Sequence, residues 1–205
     1  MLVGIDYFCC INCTPLNPKK IVITGAPGTG KSSIIRELEF GGYRCFHEVI
    51  RDMTLEAKKE GSQKPLKSNP LAFVTDPRQF NKVLLEGRLG HFLEGSSIDE
   101  PVVFYDRGIP DVLAYMDYFE QEYGEGFRMT CRQHRYDKVI LLPPWEEIYI
   151  SDNERLESFE EAMEIHNYLM TTYRKYGYEP LSLAEGTVQE RTDRILFELT
   201  QDKYL

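Results

Sequence analysis

Apolar residues along the chain gather into short unbroken runs, separated by longer stretches in which they recur every three or four positions. The runs Ile21-Val22-Ile23, Pro101-Val102-Val103-Phe104-Tyr105 and Lys138-Val139-Ile140-Leu141-Leu142 are rich in β-branched and aromatic residues, as expected of strands buried on both faces. Residues 43–50 predict a further strand and 179–183 a last one. The intervening stretches carry helix punctuation. A helix opening near Lys31 should end at Gly41-Gly42. Asp76-Pro77-Arg78-Gln79 supplies an N-cap, a first-position proline and a capping-box Gln for a helix to about Gly95, with Phe80, Val83, Leu84 and Phe92 on its apolar face. Pro110-Asp111 starts another, with Val112, Leu113, Tyr115, Met116 and Phe119 on its core side, and 128–135 predicts one more. Ser158-Phe159-Glu160-Glu161 and Thr187-Val188-Gln189-Glu190 are capping boxes for the last two helices, the final one with Ile195, Leu196 and Leu199 at core spacing. Strands alternating with helices require right-handed crossovers and a parallel sheet covered on both faces, which is a doubly wound α/β domain.

Composition narrows the function classes. At 205 residues the chain suits one domain over 19–205, preceded by a leader at 1–18 expected to be disordered. Its 33 acidic against 24 basic residues give a formal charge of −9, which argues against a nucleic-acid partner held by phosphate neutralisation. The sequence has no apolar run of about 18 residues, so no membrane span is expected. The leader lacks a basic start and carries Asp6, unlike a secretory signal. Cys9, Cys10 and Cys13 crowd into it while Cys45 and Cys131 stand far apart, and no zinc-ligand spacing emerges. Reduced thiols and a cytoplasmic location are the expectation.

One segment changes the picture. Gly25-Ala26-Pro27-Gly28-Thr29-Gly30-Lys31-Ser32 follows an apolar strand and, with Ser33, opens a helix, the context of a Walker A phosphate-binding loop. Such a turn aims backbone N–H groups and a helix N-terminus at an anion. Gly25, Ala26, Pro27, Gly28, Thr29, Gly30, Lys31, Ser32 and Ser33 are therefore the candidate nucleotide-binding residues. Lys31 supplies a cation for the β and γ phosphates, and the Ser32 hydroxyl a ligand for magnesium.

In an open parallel sheet the ligand crevice lies beyond the carboxyl ends of the strands. Asp106 ends an apolar run as the acid of a Walker B site does, a candidate magnesium holder opposite Ser32. Arg107 beside it suits a transferring phosphoryl group; the alternative for the pair is a structural ion pair at a helix start. Glu48 is the candidate general base or ligand of a substrate hydroxyl, with a surface carboxylate as its alternative. His47 is expected on the opposite face of the strand. Arg51 is a further candidate contact, and Arg88 is expected at the surface. Tyr115, Tyr118, Phe119 and Tyr123 read as core or crevice wall. The basic stretch with Lys58, Lys59, Lys64 and Lys67 reads as solvated surface, or as a rim over an anionic substrate. Between Trp145 and Ser158 the chain leaves the sheet and returns with Asp152, Asn153, Glu154 and Arg155. That segment reads as a lid delivering Arg155 to the triphosphate, against surface pairing as the alternative.

These motifs together carry a resemblance. With the phosphate loop, Phe46-His47-Glu48-Val49, Phe104-Tyr105-Asp106-Arg107-Gly108, Arg135-Tyr136-Asp137-Lys138-Val139 and Leu141-Leu142-Pro143-Pro144-Trp145 make the chain similar, over roughly 19–200, to a family of predicted ATPases of the AAA-type P-loop class. That family is related to the ribosylnicotinamide kinase domain of bacterial NAD-salvage proteins. The resemblance implies a three-layer nucleoside/nucleotide kinase-like fold with five parallel strands in the order 2-3-1-4-5, a lid, and ATP with magnesium (Mg2+) as cofactors. In the more distant deoxynucleoside kinases a Glu at the end of the second strand acts as base and an acidic residue followed by Arg ends the third. Glu48, Asp106 and Arg107 match those positions.

Two functions stand at this point. One is an ATP- and magnesium-dependent phosphotransferase acting on a nucleoside-like or other small hydroxyl substrate, with Lys31, Glu48, Asp106, Arg107 and Arg155 as catalytic candidates. The other is a nucleotide-dependent switch with slow hydrolysis. A guanine-reading Asn-Lys-x-Asp is missing, since Asn81-Lys82 is followed by Val83-Leu84.

Overall fold

The computed structural model describes residues 17–50, 76–148 and 158–205. The leader through residue 16, Arg51, the basic stretch around Lys58 to Lys67 and Arg155 of the segment expected as a lid lie outside the described residues.

The strands β1 (Lys19–Gly25), β2 (Arg44–Phe46), β3 (Val102–Asp106), β4 (Lys138–Leu142) and β5 (Leu181–Ser182) form one sheet in the order β2-β3-β1-β4-β5. Every neighbouring pair is parallel. The connections carry α1 (Lys31–Phe40), α2 (Pro77–Gly95), α3 (Ile109–Tyr118), α4 (Glu125–Gln133), α5 (Phe159–Lys175) and α6 (Val188–Gln201). Alternation along the strands sorts the core into two layers. Ile21, Ile23, Val102, Phe104, Ile140 and Leu142 pack against Ile34, Ile35 and Leu38 of α1 and Ile195 and Leu199 of α6. Val22, Val103, Tyr105, Val139 and Leu141 face the opposite layer, built on α2, α3 and α5. The central strands are thus apolar on both faces, which is why their sequence runs unbroken. Among the described residues no helix is long and apolar enough to cross a membrane.

The expected caps form. Asp76 accepts from the Gln79 N–H at 3.0 Å, and Ser158 and Thr187 make capping boxes with Glu161 and Glu190. Three boundaries move. The strand expected over 43–50 pairs with β3 only from Arg44 to Phe46. Val49 and Ile50 are apolar because they pack into the α2 side of the core, where Val49 would meet a Cβ on Gly87 at 2.6 Å. The last strand shrinks from 179–183 to Leu181–Ser182 at the sheet edge, with Leu183 N–H still donating to the Leu141 carbonyl. The helix expected over 128–135 begins earlier, behind Gly124, and stops at His134.

Candidate functional site

The parallel order brings the carboxyl ends of β1, β2, β3 and β4 to one edge. Gly25 at the end of β1 pairs with Leu142, and Ile23 pairs with Asp106. Gly25 has φ +155°, and a Cβ there would stand 2.5 Å from the Leu142 carbonyl oxygen. Only glycine lets the chain leave the sheet at this point. The loop closes on itself: Thr29 Oγ1 and Lys31 Nζ donate to the Ala26 carbonyl at 2.9 and 2.7 Å. Gly30, left-handed at φ +84°, is the N-cap of α1, and its carbonyl accepts from the Ser33 and Ile34 N–H groups. A helix start of this kind presents N–H groups that lack intrahelical acceptors. Lys31 is buried, and burial, with Arg107 as the next cause, pushes its ammonium down to about 7, while Asp106, Glu48 and Asp111 pull it upward. An anion placed beside an ammonium held this way would favour its charged form.

Beside the loop stands a buried ionic network. Asp106, the last residue of β3, is 4 % exposed. Arg107 follows with φ +74°, a left-handed conformation for a non-glycine residue. Such a residue costs of order 1–3 kcal/mol. It is held by its N–H to the Ile23 carbonyl at 3.0 Å, by Nε to Glu48 Oε2 at 2.5 Å and by Nη1 to Asp111 Oδ1 at 3.1 Å. The guanidinium also lies 5.1 Å from the Tyr115 ring centroid. Arg107 therefore makes the helix-start ion pair and reaches across to Glu48 as well.

Glu48 lies two residues past the end of β2, turned inward, while His47 turns outward to Glu39 at 2.7 Å. Glu48 Oε1 accepts from Arg88 Nη2 at 3.0 Å, and Arg88 Nη1 donates to the Gly108 carbonyl at 3.1 Å. Arg88, expected at the surface, is instead 4 % exposed. The reason is its place on α2, where Phe80, Leu84, Arg88 and Phe92 share one stripe at spacings of four and the other three are core residues.

Asp111 was legible only as a helix start. It is fully buried and accepts from Thr24 Oγ1 and Tyr173 OH, both at 2.5 Å, from the Gly108 N–H at 3.0 Å and from Arg107. Burial would raise its carboxyl, but Arg88, Arg107 and the hydrogen bonds from Thr24 and Tyr173 hold it below the ordinary value. Four donors fill the acceptor capacity of its two oxygens. Asp111 thus fixes Arg107, whereas Glu48, with one guanidinium on each oxygen among the described residues, keeps acceptor capacity.

The structure brings Gly25 to Ser33, Glu48, Asp106 and Arg107 to one edge of the sheet, and Arg155 lies outside the described residues. Residues that sequence reasoning passed over are Arg88 as a buried partner, Thr24, Asp111 and Tyr173. Among the described residues no group of three or more His, Cys, Asp or Glu is placed to hold a metal. Cys45 and Cys131 are free and buried, which pushes both thiols up to about 12.

The fold is shared with solved kinases. A deoxyadenosine kinase from M. mycoides superposes with a TM-score of 0.61 at 18% identity, covering 89% of this chain and 99% of that one. Thymidylate kinase from Candida albicans gives 0.66 at 15% identity over 92% and 93%. NadR protein in complex with NR gives 0.65 at 19% identity, covering 87% of this chain and 51% of that one, so this chain matches about half of NadR. Among curated protein sequences there is no match. A family described as AAA domain matches residues 20–191, most of the chain, and the chain belongs to that AAA-domain family.

Proposed function

We propose that this protein is an ATP- and magnesium-dependent phosphotransferase that moves the γ phosphoryl group to the hydroxyl of a nucleoside-like small molecule. The observation that carries this reading is Glu48. It is a buried carboxylate clamped by Arg88 and Arg107 at the phosphate-loop edge, with acceptor capacity left for a substrate hydroxyl. The fold neighbours support the acceptor class: one carries NR, and another has dCMP and dCDP as its products.

Glu48 receives the proton of the attacking hydroxyl, Lys31 follows the β and γ phosphates, and Arg107 meets the charge that spreads over the transferring group. Arg155, from the lid, adds a second guanidinium and helps to exclude water. Ser32 and Asp106 are oxygen donors of the type magnesium takes. Two such donors would hold it together with a nucleotide's phosphates. When bound, that ion neutralises phosphate charge. The two buried free thiols, Cys45 and Cys131, support a cytoplasmic setting.

The test is ADP release from ATP across a panel of nucleosides. Turnover stimulated by one acceptor, reduced about a hundredfold or more by Glu48→Gln with nucleotide affinity retained, supports the reading. Slow ADP formation indifferent to every acceptor overturns it in favour of the switch.

A further inference from the structure

Arg191 stands in the first turn of α6, on the stripe Arg191-Ile195-Leu199 whose other two members are fully buried. Its guanidinium Nη1 donates to the Thr29 carbonyl at 3.0 Å, across 162 residues of sequence. A Cβ added to Gly30 would stand 3.1 Å from that nitrogen, so the guanidinium is seated directly against the phosphate loop. The position is poor for a cation. Arg191 is 6 % exposed, its Nε has no hydrogen-bond partner among the described residues, and burial pulls the guanidinium below its ordinary value, with Glu185 opposing. A positive side chain at a helix N-terminus also opposes the helix dipole. An apolar residue would suit the stripe better, because replacing a buried charge with a well-packed hydrophobe is commonly neutral or stabilising.

What the arginine does is hold a peptide plane. In a trans peptide the carbonyl and the following N–H point in opposite directions. A guanidinium bound to the Thr29 carbonyl therefore turns the Gly30 N–H away from α6. From this we infer that Arg191 is a positioning residue of the phosphate site: it fixes the Thr29–Gly30 peptide so that the Gly30 N–H is presented to a bound phosphate. The inference rests on the reading of the loop as a triphosphate site. Arg191 then acts on the triphosphate part of a nucleotide.

Calorimetric titration of the full chain with Mg-ATP and with magnesium tripolyphosphate tests it, on wild type, Arg191→Met and Arg191→Lys. Expected is a loss of about tenfold in affinity for both probes in Arg191→Met, by the same factor, with a melting temperature equal to or above that of wild type. Arg191→Lys, which keeps a donor, falls between the two. Unchanged binding of both probes by Arg191→Met overturns the inference. So does a loss confined to ATP, which makes Arg191 a base contact, and so does a fall in melting temperature that tracks the loss of affinity in both variants. Wild-type protein that binds neither probe refutes the phosphate-site reading itself, and the inference falls with it.

Discussion

Arg88 Nη2 and Glu48 Oε1 lie 3.0 Å apart with both side chains withdrawn from solvent, so the candidate base is held by a helix 40 residues away in sequence. Removing one member of a buried pair leaves the other charge uncompensated, which costs about 3–5 kcal/mol when no partner remains. Glu48 keeps Arg107, so Arg88→Met should lose about 2 kcal/mol in urea unfolding. With Glu48→Gln in a double-mutant cycle, the coupling should exceed about 1 kcal/mol. Strict additivity would show that the pair is incidental.

Asp111 ties the fold to acid pH. Its carboxyl is held below the ordinary value in the folded chain. The stabilisation it contributes is therefore present above the unfolded-state value of about 3.9 and is lost as pH falls through the lower folded value. Asp111→Asn should be less stable than wild type at neutral pH, and the difference should shrink steadily below about pH 4. Unfolding free energies between neutral and strongly acid pH check this, and a difference independent of pH would refute it.

Much of this architecture could be read from the chain. The unbroken apolar runs mark strands with two covered faces, and the caps at Asp76, Ser158 and Thr187 mark helix starts, because both signals are local. The phosphate loop is equally local. What escaped are relationships between distant positions. Arg88 is charged and so reads as surface, and Arg191 drew no reading at all. Their spacing with Phe80, Leu84 and Phe92, and with Ile195 and Leu199, was the available sign that they point inward. No sequence pattern pairs Thr24 or Tyr173 with Asp111, since the donors are 87 and 62 residues away. The end of β2 was misjudged because Val49 and Ile50 are apolar for α2 and not for the sheet.

Gly25 and Gly42 separate two uses of glycine. Both have positive φ, but a Cβ on Gly25 would press on the Leu142 carbonyl at 2.5 Å and Thr29 Oγ1 at 2.9 Å, whereas Gly42 has nothing within 4 Å. Gly42→Ala should cost about 1 kcal/mol of backbone strain and leave triphosphate binding intact. Gly25→Ala should cost about 3 kcal/mol, since overpacking adds to the strain, and should abolish binding by displacing the loop. Thermal unfolding and calorimetry on the two variants check the contrast, and equal effects would refute it.

On the proposed reading of the loop, Lys31 should make nucleotide binding a proton-linked event. Burial, with Arg107 next, pushes its ammonium down to about 7 in the free protein, far below an ordinary lysine. Between that value and about 10.4 the unfolded chain binds more protons than the folded one, so this group adds stability as pH rises through the window. A triphosphate in the loop places negative charge against Lys31 and raises its proton affinity again. Binding near pH 8 should therefore take up a fraction of a proton. Calorimetry of Mg-ATP binding in buffers of different ionisation enthalpy measures that fraction. Lys31→Met, which cannot take up the proton, should reduce the buffer dependence as well as the affinity. A wild-type heat that does not change with buffer would mean that Lys31 is already charged in the empty loop, and its closure onto the Ala26 carbonyl would then be a charged hydrogen bond that the nucleotide must break.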